Sequence, residues 1–339
     1  MKKDIVIIGG GIAGLTTAKF LAEEGVDFIL LEEHGDFFQK ACGEGIIPKM
    51  GGYDFFEIYE SKVGIEKEIN ETIVYTKYGD IELPLQFVTT NKEIIERELC
   101  KQVEKKGGEI LMDNKVKSIQ GNPPKVLPQS IEAKVIVGAD GARSLVRKWM
   151  KVKEPKLGFA VEGRLKENLF DTCRVELGKE TIPYGYAWFF PKKEEWNIGI
   201  GAFGKGYKKY FERYFSAFKK RFPQVKKWRG AFLPLSVPPR TYGKRSLLVG
   251  DAASQIISSI GAGNTTAAIC GKIAAEVLSK FAKRSFREID LSVYEREWRA
   301  RLGRLFSLSR FFAKLFFAIY GVSEYASIKL LKKLIEKYT

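Results

Sequence analysis

Apolar residues fall into two rhythms along the chain. Residues 4–8 (DIVII) and 26–33 (VDFILLEE) are short apolar runs of buried-strand type, and between them IAGLTTAKFLAEEG carries a helix that Gly25 stops. The pattern predicts a strand, a helix and a second, parallel strand. The loop KACGEGIIPKMGG follows, with glycines and a proline that permit close backbone approach to a ligand. Residues 72–88 read as a hairpin around Tyr78, Gly79 and Asp80, and 91–106 as an amphipathic helix ended by Gly107 and Gly108. Short strands are expected at 109–119 and 131–137. From 155 to 201 the rhythm changes to short aromatic strands separated by turns, which predicts an antiparallel sheet, completed by a helix near 205–221 and strands to about 237. RSLLVGDAA, from Arg245, returns to the buried-strand style, and everything from about residue 263 reads as helix.

The first strand–helix–strand unit carries Gly9, Gly11 and Gly14, with Glu32 ending its second strand. In that frame Gly9 makes a tight turn, Gly11 lets a pyrophosphate approach the backbone, and Gly14 lets the helix pack close to the strand. The free N–H groups and positive dipole end of the helix, at Ile12 and Ala13, point at the phosphates. Glu32, with Glu33 beside it, suits a ribose 2′-hydroxyl and repels a 2′-phosphate, so the fingerprint favours the ADP half of NAD or FAD over NADP. The fold class expected is α/β. A Rossmann-type dinucleotide-binding domain (1–55, 88–154 and 239–283) is joined to an antiparallel-sheet substrate domain (56–87 and 155–238) and to C-terminal helices (284–339).

Composition narrows the setting. A chain of 339 residues, 45% hydrophobic, can bury a large core. Cys42, Cys100, Cys173 and Cys270 lack metal-ligand or CxxC spacing, and the single histidine, His34, has no ligand set around it. A metal site and a Ser/His/Asp triad are therefore not expected. A first strand that begins at residue 4 leaves no cleavable leader, and no uninterrupted apolar run reaches the 18 or more residues of a spanning helix. The expected location is cytoplasmic, with attachment to the inner face of a membrane. Fifty-seven Lys and Arg against 41 Asp and Glu give a net charge of +16, which attracts an anionic surface, and no nucleic-acid motif accompanies it. Abundant Lys and Glu with few Gln, Asn and His resembles thermophile composition.

Two further motifs follow in order. VIVGADGARSLVRK places Asp140 and Gly141 after an apolar strand, and LLVGDAASQIISSIGAGNTTAAICGKIAAEVL places Gly250 and Asp251 at a strand end before Gly261, Ala262, Gly263 and Asn264 open a long helix. With the opening fingerprint these resemble the DG and GD motifs of the flavoprotein family that includes p-hydroxybenzoate hydroxylase and the geranylgeranyl reductases. The resemblance covers nearly the whole chain and implies FAD. Asp251 then takes the ribityl and ribose region, and the Gly261–Gly263 turn aims a helix N-terminus at the pyrimidine edge of the flavin, where the reduced ring carries negative charge. Val116 stands where relatives offer a backbone contact to adenine. The chain departs from the family in having Ser258 and Ser259 where a proline often precedes the turn, and Asn91 where many members carry an arginine.

The branch is set by YGYAWFFPKKEEWNIGIG, which resembles the YxWxFP…GxG signature of the geranylgeranyl reductases through Tyr186, Trp188, Phe190, Pro191, Gly199 and Gly201. ACGEG similarly resembles their Cys-Gly loop beside the flavin, at Cys42 and Gly43. Residues 186, 188 and 190 share one face of a strand and would present apolar rings to an isoprenoid chain. The activity implied is FAD-dependent reduction of carbon–carbon double bonds in geranylgeranyl chains of archaeal-type lipid precursors. Cys42, Glu44 and Tyr186 are the candidate proton donors. With one dinucleotide fingerprint present, electrons are expected from a nicotinamide that visits transiently or from a reduced protein. The alternatives are a flavin monooxygenase acting on an apolar substrate and a flavin-stabilised protein that binds lipid or nucleic acid.

The last segment, RLGRLFSLSRFFAKLFFAIYG, aligns Leu305, Leu308, Phe312, Leu315, Phe316 and Ile319 on one helical face, with Arg310 and Lys314 opposite. Such a helix packs that face on the core or lies in a bilayer interface. Both hold if Phe306, Phe311 and Phe317, flanking the face, meet lipid.

Overall fold

The computed structural model describes residues 1–203, 206–236 and 240–338. Residues 204–205, at the start of the expected helix, and 237–239, at the expected strand end and domain boundary, lie outside the described residues.

The strand Lys2–Ile8 lies parallel to Phe28–Leu31 on one side and to Ile131–Gly138 on the other, with Ile5 opposite Phe28 and Val135. Glu109–Leu111, the returning strand Ser246–Leu248 and an antiparallel edge complete an eight-stranded sheet. Alternation of side chains decides what each face buries. Ile5 and Ile7 enter a core shared with helices α1 (Ile12–Glu23), α2 (Phe55–Tyr59) and α3 (Lys92–Lys105), whereas Val6 and Ile8 meet Val146 of α4 (Leu145–Trp149). Burial on both faces is why these strands read as unbroken apolar runs. Asn91 caps α3 by accepting from Ile94 N–H at 3.2 Å. Residues 56–59, which the sequence assigns to the substrate domain, instead bury Ile58 and Tyr59 in this first core.

The second sheet has seven strands, ordered Trp228–Pro234, Leu157–Leu165, Trp196–Ala202, Gly185–Pro191, Cys173–Glu176, Thr72–Tyr75 and Ile81–Leu83. Helix α5 (Phe211–Arg221) covers one face through Phe211 and Phe218, leaving the other face to the cavity described below. The expected hairpin at 72–88 forms only as far as Leu83, because Phe87–Thr90 leaves it to pair with Gly45–Ile46 and Ile65–Ile69 in a small third sheet.

Three helices end the chain: α6 (Asn264–Ala282), α7 (Ser292–Val322) and α8 (Glu324–Tyr338). The first half of α7 is core, with Tyr294, Trp298 and Leu302 each 0% exposed. Its second half corrects the expected phase. Phe306, expected to meet lipid, is buried, while Leu308, Phe312 and Leu315 of the expected core face are exposed together with Phe311. Although no uninterrupted run occurs, α7 holds an 18-residue window of mean hydropathy 1.4, only 17% buried, which meets the length and composition of a membrane-crossing helix. Its first half, by contrast, is held in the core by Tyr294, Trp298 and Leu302. α8 docks on the outer end of the second sheet, where Ile328 and Leu331 meet Val74, Leu83 and Val175. Glu324 fixes its start by accepting from Lys179 N–H at 2.7 Å and pairing with Lys77 Nζ at 2.7 Å.

Helices α1 and α6 lie side by side because Gly271 has no side chain. A Cβ there would stand 2.8 Å from the carbonyl oxygen of Ala13. Gly303 in α7 has its nearest neighbour 3.5 Å from such a Cβ. Thermal unfolding should separate the two: Gly271→Ala destabilises by about 1–3 kcal/mol through overpacking, and Gly303→Ala stabilises by about 0.5–1 kcal/mol through helix propensity. Equal effects of the two substitutions would contradict this packing.

Candidate flavin and isoprenoid site

One cavity of about 1540 Å³ lies between the two large sheets. At its first end stand the glycine loop and α1. Gly9 has φ +108°, and a Cβ on Gly14 would fall 1.9 Å from the Gly9 carbonyl oxygen, so both shape the turn and Gly14 lies behind the cavity surface. Around Gly11 there is open space: the nearest atom to a Cβ placed there would be Glu96 Oε1, at 4.0 Å. No side chain caps α1 at Gly11 or α6 at Gly263, so both helices turn unsatisfied N–H groups and positive dipole ends into the same space. This cradle fits a dinucleotide's pyrophosphate and an electron-rich ring edge. Glu32 accepts from Gly10 N–H at 2.6 Å and from His34 N–H at 3.0 Å, which presents its carboxylate beside the glycine loop. Glu33, 2.5 Å from Lys115 Nζ, and Val116 line the same end.

The DG and GD segments flank this cradle. Asp140 accepts from Ser144 Oγ at 2.6 Å and from Val146 N–H at 3.1 Å, so its carboxylate shapes its own turn; burial, only partly offset by these bonds, raises its pKa. Gly141 lines the cavity, whereas Gly250, with φ +64°, is packed against Ala13. Asp251 lines the cavity and is paired with Lys40. The turn Gly261–Ala262–Gly263 also lines it, with Asn264. In place of the expected proline, Ser259 ties this turn to α7 through Ser309 Oγ, 3.0 Å from its N–H and 2.9 Å from its hydroxyl. A lysine directly follows Asn91, the position where many members of the family carry an arginine. Lys92 lines the cavity, 3.2 Å from Glu96; burial works most strongly against its charge, but Glu96, Cys42 and Asp251 together outweigh it and raise its pKa. Its signal was the lysine directly after the helix cap.

Tyr186, Trp188 and Phe190 do share one cavity face of the wall strand Gly185–Pro191. Their cross-strand partners on Trp196–Ala202 are Gly201, Gly199 and Asn197. A Cβ on Gly199 would lie 2.1 Å from the Trp188 ring, and one on Gly201 2.9 Å from Phe203. Gly199 and Gly201 are thus seats for rings and do not line the cavity. Pro191 does not line it either, and its carbonyl accepts from Thr89 Oγ1 at 2.7 Å. Phe203, which the sequence did not single out, joins the wall 5.1 Å from Tyr186. Beyond the wall the cavity continues as an apolar arm between the second sheet and the helices α7 and α8, past Leu83, Val175, Phe316 and Leu331.

The three candidate acids separate clearly. Glu44 is 0% exposed and its carboxylate is committed: it accepts from Lys92 N–H at 2.8 Å, from Lys192 Nζ and Asn197 Nδ2 at 3.1 Å, and pairs with Arg164. With its oxygens taken up by these donors, Glu44 serves as an anchor of the loop. The Tyr186 hydroxyl donates to the Ile260 carbonyl at 2.6 Å, and burial holds its pKa well above the usual value. It braces the Gly261 turn. Cys42 remains, half-buried at the cavity wall, its sulfur accepting from Glu44 N–H at 3.3 Å and from Asn264 Nδ2 at 3.6 Å.

Two substitutions test the cradle and the seat separately. Gly11→Val should abolish FAD retention, read from flavin absorbance after desalting, because its side chain fills the cradle. Gly199→Ala should retain FAD but displace the Trp188 indole, seen as a shift in tryptophan emission. FAD retained by the first, or lost only from the second, would contradict the assignment.

Comparison with known proteins agrees with this geometry. The profile of a family described as FAD binding domain matches residues 2–197. Two relatives named digeranylgeranylglycerophospholipid reductase are each 27% identical: one from Methanosarcina acetivorans, over 90% of this chain and 83% of its own length, the other from Methanothrix thermoacetophila, over 93% and 88%. Among solved structures, a geranylgeranyl bacteriochlorophyll reductase-like protein from Thermoplasma acidophilum superposes with a TM-score of 0.82 at 20% identity, covering 99% of this chain and 91% of its own. PqsL of P. aeruginosa gives 0.70 at 15% identity, covering 94% and 96%. Cradle, motifs and profile together place this chain in the FAD-binding-domain family, as a flavin-dependent oxidoreductase with FAD as its cofactor.

Proposed function

We propose that this protein is an FAD-dependent reductase that saturates carbon–carbon double bonds in the geranylgeranyl chains of membrane-lipid precursors. The observation that carries the proposal is the continuous passage from the flavin cradle, past Trp188 and Phe190, into the apolar arm under α7 and α8. The names of the reductase relatives support the same substrate class. FAD, when bound and reduced, supplies the hydride equivalent that an unactivated alkene requires. The rings exclude water and align a flexible chain, which a weak hydride acceptor needs most. Cys42 is the side chain placed to meet the reacting region from the loop side. Electrons come from a nicotinamide or a reduced protein that visits transiently.

The protein works at the cytoplasmic surface of a membrane. Leu308, Phe311, Phe312 and Leu315 form an exposed apolar strip on α7, and Phe312 and Leu315 also line the cavity, so the strip leads from the surface into the arm. Exposed Arg304 and Lys314 lie along the same helix. With a net charge of +16, this supports docking on anionic lipid, where each nearby cation contributes about 1 kcal/mol and salt weakens the contact.

The test is turnover under argon by dithionite-reduced protein on anionic vesicles carrying a geranylgeranyl phospholipid. The expected product gains two hydrogens per reduced bond and no oxygen. Trp188→Ala should slow turnover about tenfold or more without lowering FAD content. Phe311→Asp should reduce vesicle binding about tenfold, by loss of roughly 1–2 kcal/mol of apolar burial, and spare turnover of detergent-dispersed substrate. Product that forms only with oxygen and carries an oxygen atom would identify a monooxygenase. Binding with no chemical change would identify a lipid-binding protein.

A further inference from the structure

Asn197 is a fully buried asparagine, 0% exposed, on the cavity-facing register of a strand whose next two positions on that face are Gly199 and Gly201. Apolar neighbours offer it nothing on its own strand. Every bond of its amide leaves the strand: Oδ1 accepts from the Trp188 indole N–H at 2.9 Å, and Nδ2 donates to the Cys42 carbonyl at 2.8 Å and to Glu44 Oε2 at 3.1 Å. The amide orientation is dictated by chemistry, since an indole N–H only donates, and a backbone carbonyl and a carboxylate only accept. One side chain thus joins the substrate wall to the loop that carries the Cys42 thiol. A buried asparagine in a sheet is costly unless all its bonds are made, and here all of them serve this junction.

We propose that Asn197 is a positioning residue for the reductase site: it fixes the Trp188 indole relative to the Cys42 loop, and so sets the spacing between the ring wall and the thiol across which the isoprenoid double bond lies. The inference rests on the reductase reading for its consequence, but the junction can be tested without turnover. Of the four free cysteines, Cys100, Cys173 and Cys270 are buried, and burial pushes the Cys100 and Cys173 thiols up to about 11 and about 12. Alkylation of the native protein therefore reports Cys42.

The experiment measures the rate of Cys42 alkylation by iodoacetamide, located by peptide mass, in FAD-loaded protein and its Asn197→Leu and Trp188→Phe variants. A freed loop exposes the sulfur, so Asn197→Leu should alter the rate at least about fivefold. Trp188→Phe keeps an aromatic ring but removes the indole N–H together with part of the ring's bulk; it should move the rate in the same direction by a smaller factor, and the double variant should match Asn197→Leu alone. In turnover, Asn197→Leu should lower kcat about tenfold or more with KM changed less than about threefold, the signature of lost alignment at the reacting centre. If Asn197→Leu fails to fold, Asn197→Thr and the Trp188→Phe rate carry the same test. Unchanged alkylation in every folded variant, or additive effects of the two substitutions, would overturn the junction. An altered rate in a protein that reduces no isoprenoid would uphold the junction and refute the reductase reading.

Discussion

The geometry of this site depends on one buried carboxylate. Glu44 sits in a left-handed backbone conformation, φ +59°, in the loop between the glycine cradle and the ring wall. It gathers donors from three directions: the first N–H of α3, the guanidinium of Arg164 on the second sheet, and Lys192 and Asn197 from beyond the ring wall. Its own carbonyl accepts from Thr90 N–H at 3.0 Å and Thr90 Oγ1 at 2.9 Å. A charge removed from water this completely is stable only when its partners hold still, and removing one partner of such a set costs about 3–5 kcal/mol. The loop with Cys42 and Gly43 is consequently pinned at once to the start of α3, to the second sheet and to the small third sheet. Flavin cradle and substrate wall meet at a fixed distance because this carboxylate cannot be left unpaired.

Around that anchor, glycines allow close approach and rings fill the space they leave. Gly14 and Gly271 bring loop, α1 and α6 together, so that two helix N-termini open on one cradle. Gly199 and Gly201 perform the mirror task on the second sheet: the first lets Trp188 lie across the neighbouring strand, and the second makes room for the ring of Phe203, two residues on. The outer end of the cavity is built differently. There α8 rests on a small apolar cluster and one ion-paired glutamate, Glu324, whose burial would raise its pKa but whose bonds to Lys77 and Lys179 outweigh that and hold it lowered. A rigid reacting centre and a lightly attached apolar roof suit a long, flexible substrate.

The parts of this protein legible in its sequence are those set by local chemistry. Gly9, Gly11, Gly14 and Glu32, set in a strand–helix–strand frame, announce the cradle, the body of α3 lies where the apolar period puts it, and alternation places residues 186, 188 and 190 on one face. What pairing across strands decides was illegible. Gly199 and Gly201 look like ligand contacts until the register sets them under rings, and Glu44 looks like an acid until Arg164 and Lys192 arrive from distant segments. The face of α7 was misread for a different reason. Apolar residues occur nearly all round its second half, so the period alone cannot choose between the face with Leu302 and Phe306, which is buried, and that with Leu308 and Phe312, which is not.

The central claim is that the ring wall and the Cys42 loop, held at one distance by Glu44 and Asn197, are the two sides of an isoprenoid channel that crosses the flavin. A crystal structure of the FAD-loaded protein with a geranylgeranyl phospholipid analogue tests this most directly. The account predicts continuous density for one chain between Trp188 and Cys42, running over the flavin toward Leu331 under α8, with the headgroup outside near the exposed strip of α7. A chain bound only on the surface of α7, or a channel filled by a folded-back Trp188 with the ligand elsewhere, would contradict it.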